Sequence, residues 1–476
     1  MRSVELPSEI EVVNLGLPLF ADAVRDQGRP VVHVDWRIPA GGDAALVGAL
    51  CRLYGRHAAA IDEANAEVAR RLDKGAAWLV GIEPAVAALP GVDDRTVVHC
   101  GPAIAWDDMC DPLRRSVRAA VMAEGWADDP AGADLLLSVG GGVRLEPANM
   151  HAAVVPMASA IGPSMPMFVV ENGEGGTRAF SSINQGPGEV AWFGRETPAA
   201  VARLTFLREV AGPLLAKCID ASGPIDVFGV AAQGLQMGDD IHMRTQASTN
   251  LLIRNLLPRL VALDSPERGA LGTFLAGNHL FFLNLAMAGA KALTLWAEQV
   301  DGSSVVTTMA RNGTTYGICL SGSETWFVTG SPPVGNALYY AGQGPESAAP
   351  DIGDSAVLEL IGLGGSAAAA SPAVATFVGG TMADAIAATE EMDRVCVARS
   401  TRFKVPMLDF RGTPVGVDVR KVVELGITPK VNTGILHASD GSGQVGAGVA
   451  EAPMACFAEA LLDLDRRLDL DRRLAP

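Results

Sequence analysis

Between Gly238 and Gln246 the chain reads GDDIHMRTQ, so Asp239, Asp240, His242 and Arg244 stand directly ahead of the apolar run ASTNLLIRNLLPRL. If a helix starts near Asp239, a turn of ~100° per residue puts Asp239, His242 and Gln246 on one face, with Asn250 close by. Asp240 and Arg244, four apart, occupy another face in the acid-before-base order that favours a helix pair. An imidazole beside a carboxylate can carry a proton near neutral pH or polarise a carbonyl. The same residues would equally make an Asp N-cap, a surface ion pair and a solvated histidine. A wet helix start and a site for a small polar substrate are both open at this point.

Further polar residues interrupt apolar segments. GNHLFFLNLAMA carries Asn278, His279 and Asn284, and buried amides or imidazoles need partners or a cavity to face. MARNGTTYG sets Arg311 and Asn312 at a strand end, where a guanidinium beside turn amides suits a carboxylate or phosphate. Asn-Gly is also the strongest short signal for a plain hairpin. In FVGGTMADAI, Gly379, Gly380 and Thr381 open a helix and offer amides to an anion. HASDGSGQVGAG contains GxGxxG but lacks the strand–helix context of a dinucleotide site. P-loop, GxSxG and HExxH motifs are missing. His33 and His99 lie inside apolar strands and read as core, whereas His151 and His437 border loops at strand ends, where α/β folds bind ligands.

The elements that must position these residues have α/β rhythm. EIEVVNLGL, PLFADAVRDQG and PVVHVDW read as strand, helix and strand, half of a parallel unit. RTVVHCG and DLLLSVGGG add two strands around a helix from Asp111 to Glu124. The expected architecture is α/β: a Rossmann-like domain over 1–145, a helix-rich domain over 146–310 and a mixed α/β domain with glycine loops over 311–476. HLFFLNLAMAGAKALTLWAEQ is apolar almost all round and should be a central buried helix. The repeated LDLDRRL at the end reads as a frayed terminal helix.

Bulk composition narrows the function. The 476 residues are 49% hydrophobic and 19% charged, which suits a well-buried globular protein of more than one domain. A net charge of -17 without a basic cluster argues against nucleic-acid and anionic-membrane partners. Seven cysteines with no CxxC pair read as a reduced, cytoplasmic chain lacking a zinc site or disulfide framework, and no signal peptide is visible. The apolar stretches Ala152 to Val170 and Leu360 to Ala383 carry too many Pro and Gly for membrane helices and read as buried loops and core strands.

Several long motifs in one order resemble a known family across almost the whole chain. They include NLGLPLFADAVRDQGRPVVHVDWRIPAGGD, HAAVVPMASAIGPSMP, NQGPGEVAWFG, QMGDDIHMRTQAS, FFLNLAMAGAK, PDIGDSAVLELIGLGG and LDFRGTPVGVDVRKVVELGITPKVNTGILH. They are similar to the YlbE, YahG and AllG proteins, which associate with FdrA-like proteins. Val155 and Ser159 stand where the family motif is expected to carry glycines. The resemblance implies a subunit of a carbamoyltransferase of the oxamate type, exchanging a carbamoyl group between oxalurate and phosphate. No cofactor or metal is implied, and the expected partners are carbamoyl phosphate, a small amide or carboxylate, an FdrA-like subunit and further copies of the chain.

On that footing His242 would polarise the carbonyl or shuttle a proton, with Asp239 orienting its ring and Asp240 and Arg244 beside it. Arg311 would hold a carboxylate or phosphate, and amides near Gly379 and Gly380 a second anion. Asn284 and Asn432 would bind the carbamoyl amide, with His151, Ser164, Asn184, His279, Asn312, Thr381 and His437 as further contacts. Two alternatives are a non-catalytic partner of an FdrA-like protein and a hydrolase of ureido or cyclic amide compounds using a metal on Asp239, Asp240 and His242.

Overall fold

Val12–Leu15 and Val31–Val34 pair in parallel, joined by the helix Pro18–Asp26 that Pro18 opens. This is the strand–helix–strand unit the alternating pattern predicts. The structure, a computed structural model, describes residues 11–34, 36–138, 142–378 and 380–474. Later strands do not extend the unit. Ala77–Pro84 pairs antiparallel with both Pro166–Asn172 and Ile225–Asp226, and Arg178–Ser182 lies beyond. Thr96–His99 takes Arg144–Pro147 in parallel on one side and Ala160–Ile161 antiparallel on the other.

The class is therefore mixed α/β, but the expected Rossmann-like sheet is replaced by several small, mostly antiparallel ones. An apolar strand records which faces are buried, and nothing in its composition encodes the direction of its partner. Strand pairs also cross position 145, and Val306–Asn312 spans position 310, where composition suggested boundaries.

Two further sheets build the region around the candidate site. Val306–Asn312 pairs with Thr315–Leu320 and Ile352–Gly353, while Gln444–Glu451 lies between Lys430–Leu436 and Val334–Tyr339. The helix Phe281–Ala297 is buried at every position from 281 to 294, as its all-round apolar character requires. It packs on Pro166–Asn172, Arg178–Ser182 and the helix Ala58–Lys74. It meets the preceding helix Arg268–Gly277 at a bend of 80°, and no single helix among the described residues is long and apolar enough to cross a bilayer.

A second core joins the two ends of the chain. Leu50 and Leu53 of the helix Ala44–Tyr54 meet Phe457, Leu461 and Leu464 of the terminal helix Met454–Leu474. Arg52 and Asp465 pair across this contact at 2.6 Å, and Asp469 meets Arg56 and His57. The terminal helix, expected to fray, is thus docked: Asp465 and Asp469 face basic partners that are remote in sequence.

Candidate functional site

The helix after the charged stretch begins at Gln246, later than the spacing assumed. Gly238 and Ile241 adopt positive φ (+100° and +66°), which no helix accommodates. Asp239 is fully buried and accepts from the amides of Ala247 (3.2 Å) and Ser248 (2.8 Å) and from the Ser248 hydroxyl (3.0 Å). It therefore caps the helix from across the loop, a favourable place for an anion. Burial nonetheless pushes its carboxyl above the usual range, with these hydrogen bonds opposing. Asp240 accepts from the amides of His242, Met243 and Arg244 and from Asn432 Nδ2 at 2.7 Å. The expected Asp240–Arg244 pair does not form; the Arg244 guanidinium instead lies 3.4 Å from Asp239.

His242 is held by a residue that the spacing argument missed. Its Nδ1 lies 2.8 Å from Oε1 of Glu359, a carboxylate with no exposed surface, so the ring is not oriented by Asp239. That same oxygen accepts from the amides of Gly365 (3.0 Å) and Asn432 (3.3 Å). An oxygen accepting from two amides is placed to accept from the ring as well, so Nδ1 donates to it, and in the neutral ring Nε2 is the acceptor. Gly364 is required here: at φ +58°, a Cβ would fall on the Glu359 carboxylate and within 3.0 Å of His242 Nδ1. A lone Glu inside AVLELIGLGG was the available signal, since a buried carboxylate must have partners.

His242 lines a small cavity of about 40 Å³ together with Met157, Ser355 and Gly434. Trp192, Phe193, Met243, Leu280 and Gln444 border both this chamber and an open groove of about 660 Å³. The groove adds Arg195, Asn278, His279 and Tyr339. The chamber thus adjoins the groove across these shared residues. Of the expected residues, His242 and His279 reach this space, and burial lowers the basicity of His279.

The others do different work. Arg311 is fully buried and committed: Nε and one terminal nitrogen bind Asp351 (2.7 and 3.0 Å), and the other binds the Gly353 carbonyl (2.7 Å). Its charge is already paired, so it holds no substrate anion. Asn312 receives the amides of Thr314 and Thr315, the hairpin turn of the plain reading. Asn184 donates to Asn284 Oδ1 (2.8 Å), and Asn284 donates to the Ser182 carbonyl (2.7 Å), so both amides mend the chain after a strand. Asn432 braces Asp240 rather than facing the chamber, though its Oδ1 has no partner.

His151 contacts the Pro90 carbonyl and Glu146, and Ser164 donates to Glu124. His437 meets its own neighbour Asp440. Thr381 N and Oγ1 donate to Asp384, so the anion at that helix start belongs to the chain; Gly380 beside it is exposed, and Gly379 lies outside the described residues. Where glycines were expected, the Val155 amide donates to Asp354 and the Ser159 hydroxyl to the Pro156 carbonyl. Among the described residues no group of three or more His, Cys, Asp and Glu side chains is placed to hold a metal ion. Asp239, Asp240 and His242, the proposed metal ligands, turn toward separate partners.

Comparison with known proteins bears on this geometry. The family described as oxamate carbamoyltransferase subunit AllG matches residues 143–355. The Oxamate carbamoyltransferase subunit AllG of Escherichia coli (strain K12) is 39% identical over 407 residues, 84% of this chain and 97% of that protein. The chain belongs to the AllG/YahG family. The uncharacterized protein YahG of the same organism is 34% identical over 457 residues, 95% of this chain and 96% of its own length. A crystal structure of a conserved protein of unknown function from Enterococcus faecalis V583 superposes with a TM-score of 0.83 at 36% identity, covering 87% of this chain and 98% of that one. Within this family the matched region contains His242 and the groove residues Arg195 and Asn278, and ends four residues before Glu359.

Proposed function

We propose that this chain is a subunit of a carbamoyltransferase that moves a carbamoyl group between phosphate and a small amide-bearing carboxylate of the oxamate type. The reading rests on kinship with AllG and, as the observation that carries it, on His242 backed by Glu359 at 2.8 Å in a chamber adjoining a groove. In the proposed step the acceptor's amide nitrogen attacks the carbonyl carbon of carbamoyl phosphate. A C–N bond forms, the C–O bond to phosphate breaks, and phosphate leaves with that electron pair. His242 Nε2 takes the N–H proton, and Glu359 stabilises the resulting imidazolium. In the reverse direction the imidazolium returns the proton to the departing amide. Carbamoyl phosphate is already activated, so no covalent nucleophile is needed. The acting assembly includes a further subunit, FdrA-like by the family resemblance.

His242→Gln and Glu359→Gln test the role in that assembly. The first should lower kcat by ~10²-fold or more, as expected for loss of a general acid–base. The second should lower kcat less and shift the pH profile, because the ring keeps its place but loses its counter-charge. A change under about threefold for His242→Gln would instead favour a chain that only completes a partner's site.

A further inference from the structure

The groove above His242 is walled by Trp192, Phe193, Leu280 and Tyr339, and two of its polar groups are left without the partners that burial demands. The first belongs to Arg195, which brings the only guanidinium or ammonium among the lining residues. Its Nε is buried and has no hydrogen-bond partner. One terminal nitrogen lies 3.5 Å from Glu189, whose side chain is 48% exposed and also accepts from Thr197 at 2.9 Å. An ion pair that long and that wet holds weakly. An incoming carboxylate can take the fork made by Nε and its neighbouring nitrogen, leaving Glu189 with Thr197.

The second group is Asn278, which is 1% exposed. Its Nδ2 donates to the Asn184 carbonyl at 3.1 Å, which fixes the amide orientation, since a flip would set two oxygens face to face. Oδ1 is consequently an acceptor with no donor. Gly186, at φ +78°, lines the groove beside Asn278, and a Cβ there would meet the Arg203 guanidinium at 3.3 Å and Asn278 Cγ and Nδ2 at 3.4 Å.

We infer that Arg195 and Asn278 form a subsite for a small planar acceptor, the guanidinium holding its carboxylate and Asn278 Oδ1 accepting an N–H of the adjoining amide. Describing the ligand as an acceptor rests on the carbamoyl-transfer reading; the recognition chemistry does not. The two groups select a molecule with an anion at one end and an N–H donor at the other. Trp192 and Phe193, their rings stacked at 4.5 Å, form part of an aromatic wall suited to a flat ligand.

Calorimetric titration with oxamate and with oxalate, without carbamoyl phosphate, tests the subsite apart from turnover. Arg195→Gln should weaken both ligands at least about tenfold. Asn278→Ala should abolish the preference for oxamate over oxalate while leaving oxalate affinity within about threefold. Thermal melts of the variants establish that they are folded, and Arg195→Lys, which keeps the charge but loses the fork, gives a second reading of the same arm. Oxamate binding to Arg195→Gln within about threefold of the unaltered chain overturns the subsite, as does the absence of saturable oxamate binding to the unaltered chain. If Arg195-dependent binding is found and no carbamoyl transfer follows, the subsite stands and the carbamoyl reading falls. Turnover that His242→Gln abolishes, with binding indifferent to Arg195, upholds the carbamoyl reading and removes the subsite.

Discussion

Ile241 occupies the left-handed region at φ +66° with its side chain fully buried, an arrangement costing about 1–3 kcal/mol for such a residue. Three amide bonds to Asp240 and the Ile241 amide to the Arg244 carbonyl hold the turn that aims His242 at Glu359. A second buried acid near the chamber titrates in the physiological range. Asp354 precedes Ser355 of the chamber wall, and burial pushes its carboxyl up to about 7 against hydrogen bonds from the amides of Gly101 and Val155. An unfolded aspartate titrates near ~3.9, so between about pH 4 and about pH 7 the folded chain keeps a proton that the unfolded chain has released. The group's contribution is present in full at low pH and is lost as pH rises to about 7. Asp354→Asn cannot titrate. Denaturant melts across that range should show the stability of the unaltered chain falling relative to the variant; a constant difference would exclude the titration.

At the scale of elements, the loop before a helix and the helix itself exchange roles relative to the periodicity argument. Asp239 caps Gln246–Ala262 from seven residues upstream, because Gly238 and Ile241 turn the chain back over the helix start. The central helix Phe281–Ala297 shows the opposite outcome: its burial follows directly from its composition, while its Asn284 joins a strand exit to a helix rather than a substrate. Asn284→Ala should therefore cost about 1–3 kcal/mol in stability, the usual penalty for stranding buried polar partners, and leave KM for the proposed oxamate-type acceptor unchanged. A raised KM with unaltered stability would return Asn284 to the binding site.

At the scale of the whole molecule, the second core links the helix Ala44–Tyr54 to the terminal helix through Leu50, Leu53, Phe457 and Leu461, with Arg52–Asp465 at its rim. Deleting residues 454–476 exposes that apolar surface. The shortened chain should aggregate or melt in a broad, less cooperative transition, read by light scattering and thermal denaturation. Unchanged melting would mean that the helix is dispensable.

The amino-acid sequence by itself determined what is local: the opening strand–helix–strand unit, the Asn312–Gly313 hairpin turn, the Thr381 helix cap, the all-round burial of Phe281–Ala297, and His242 as the imidazole to watch. Those features follow from patterns repeating within a few residues, where backbone geometry alone sets the neighbours. Only the tertiary structure decided that His242 meets Glu359 across 117 positions, that Arg311 is neutralised by Asp351, and that Arg195 rather than Arg311 faces the groove. Such pairings depend on where the chain closes on itself. A buried charge requires a partner, but the requirement does not name which of the chain's other charges will supply it.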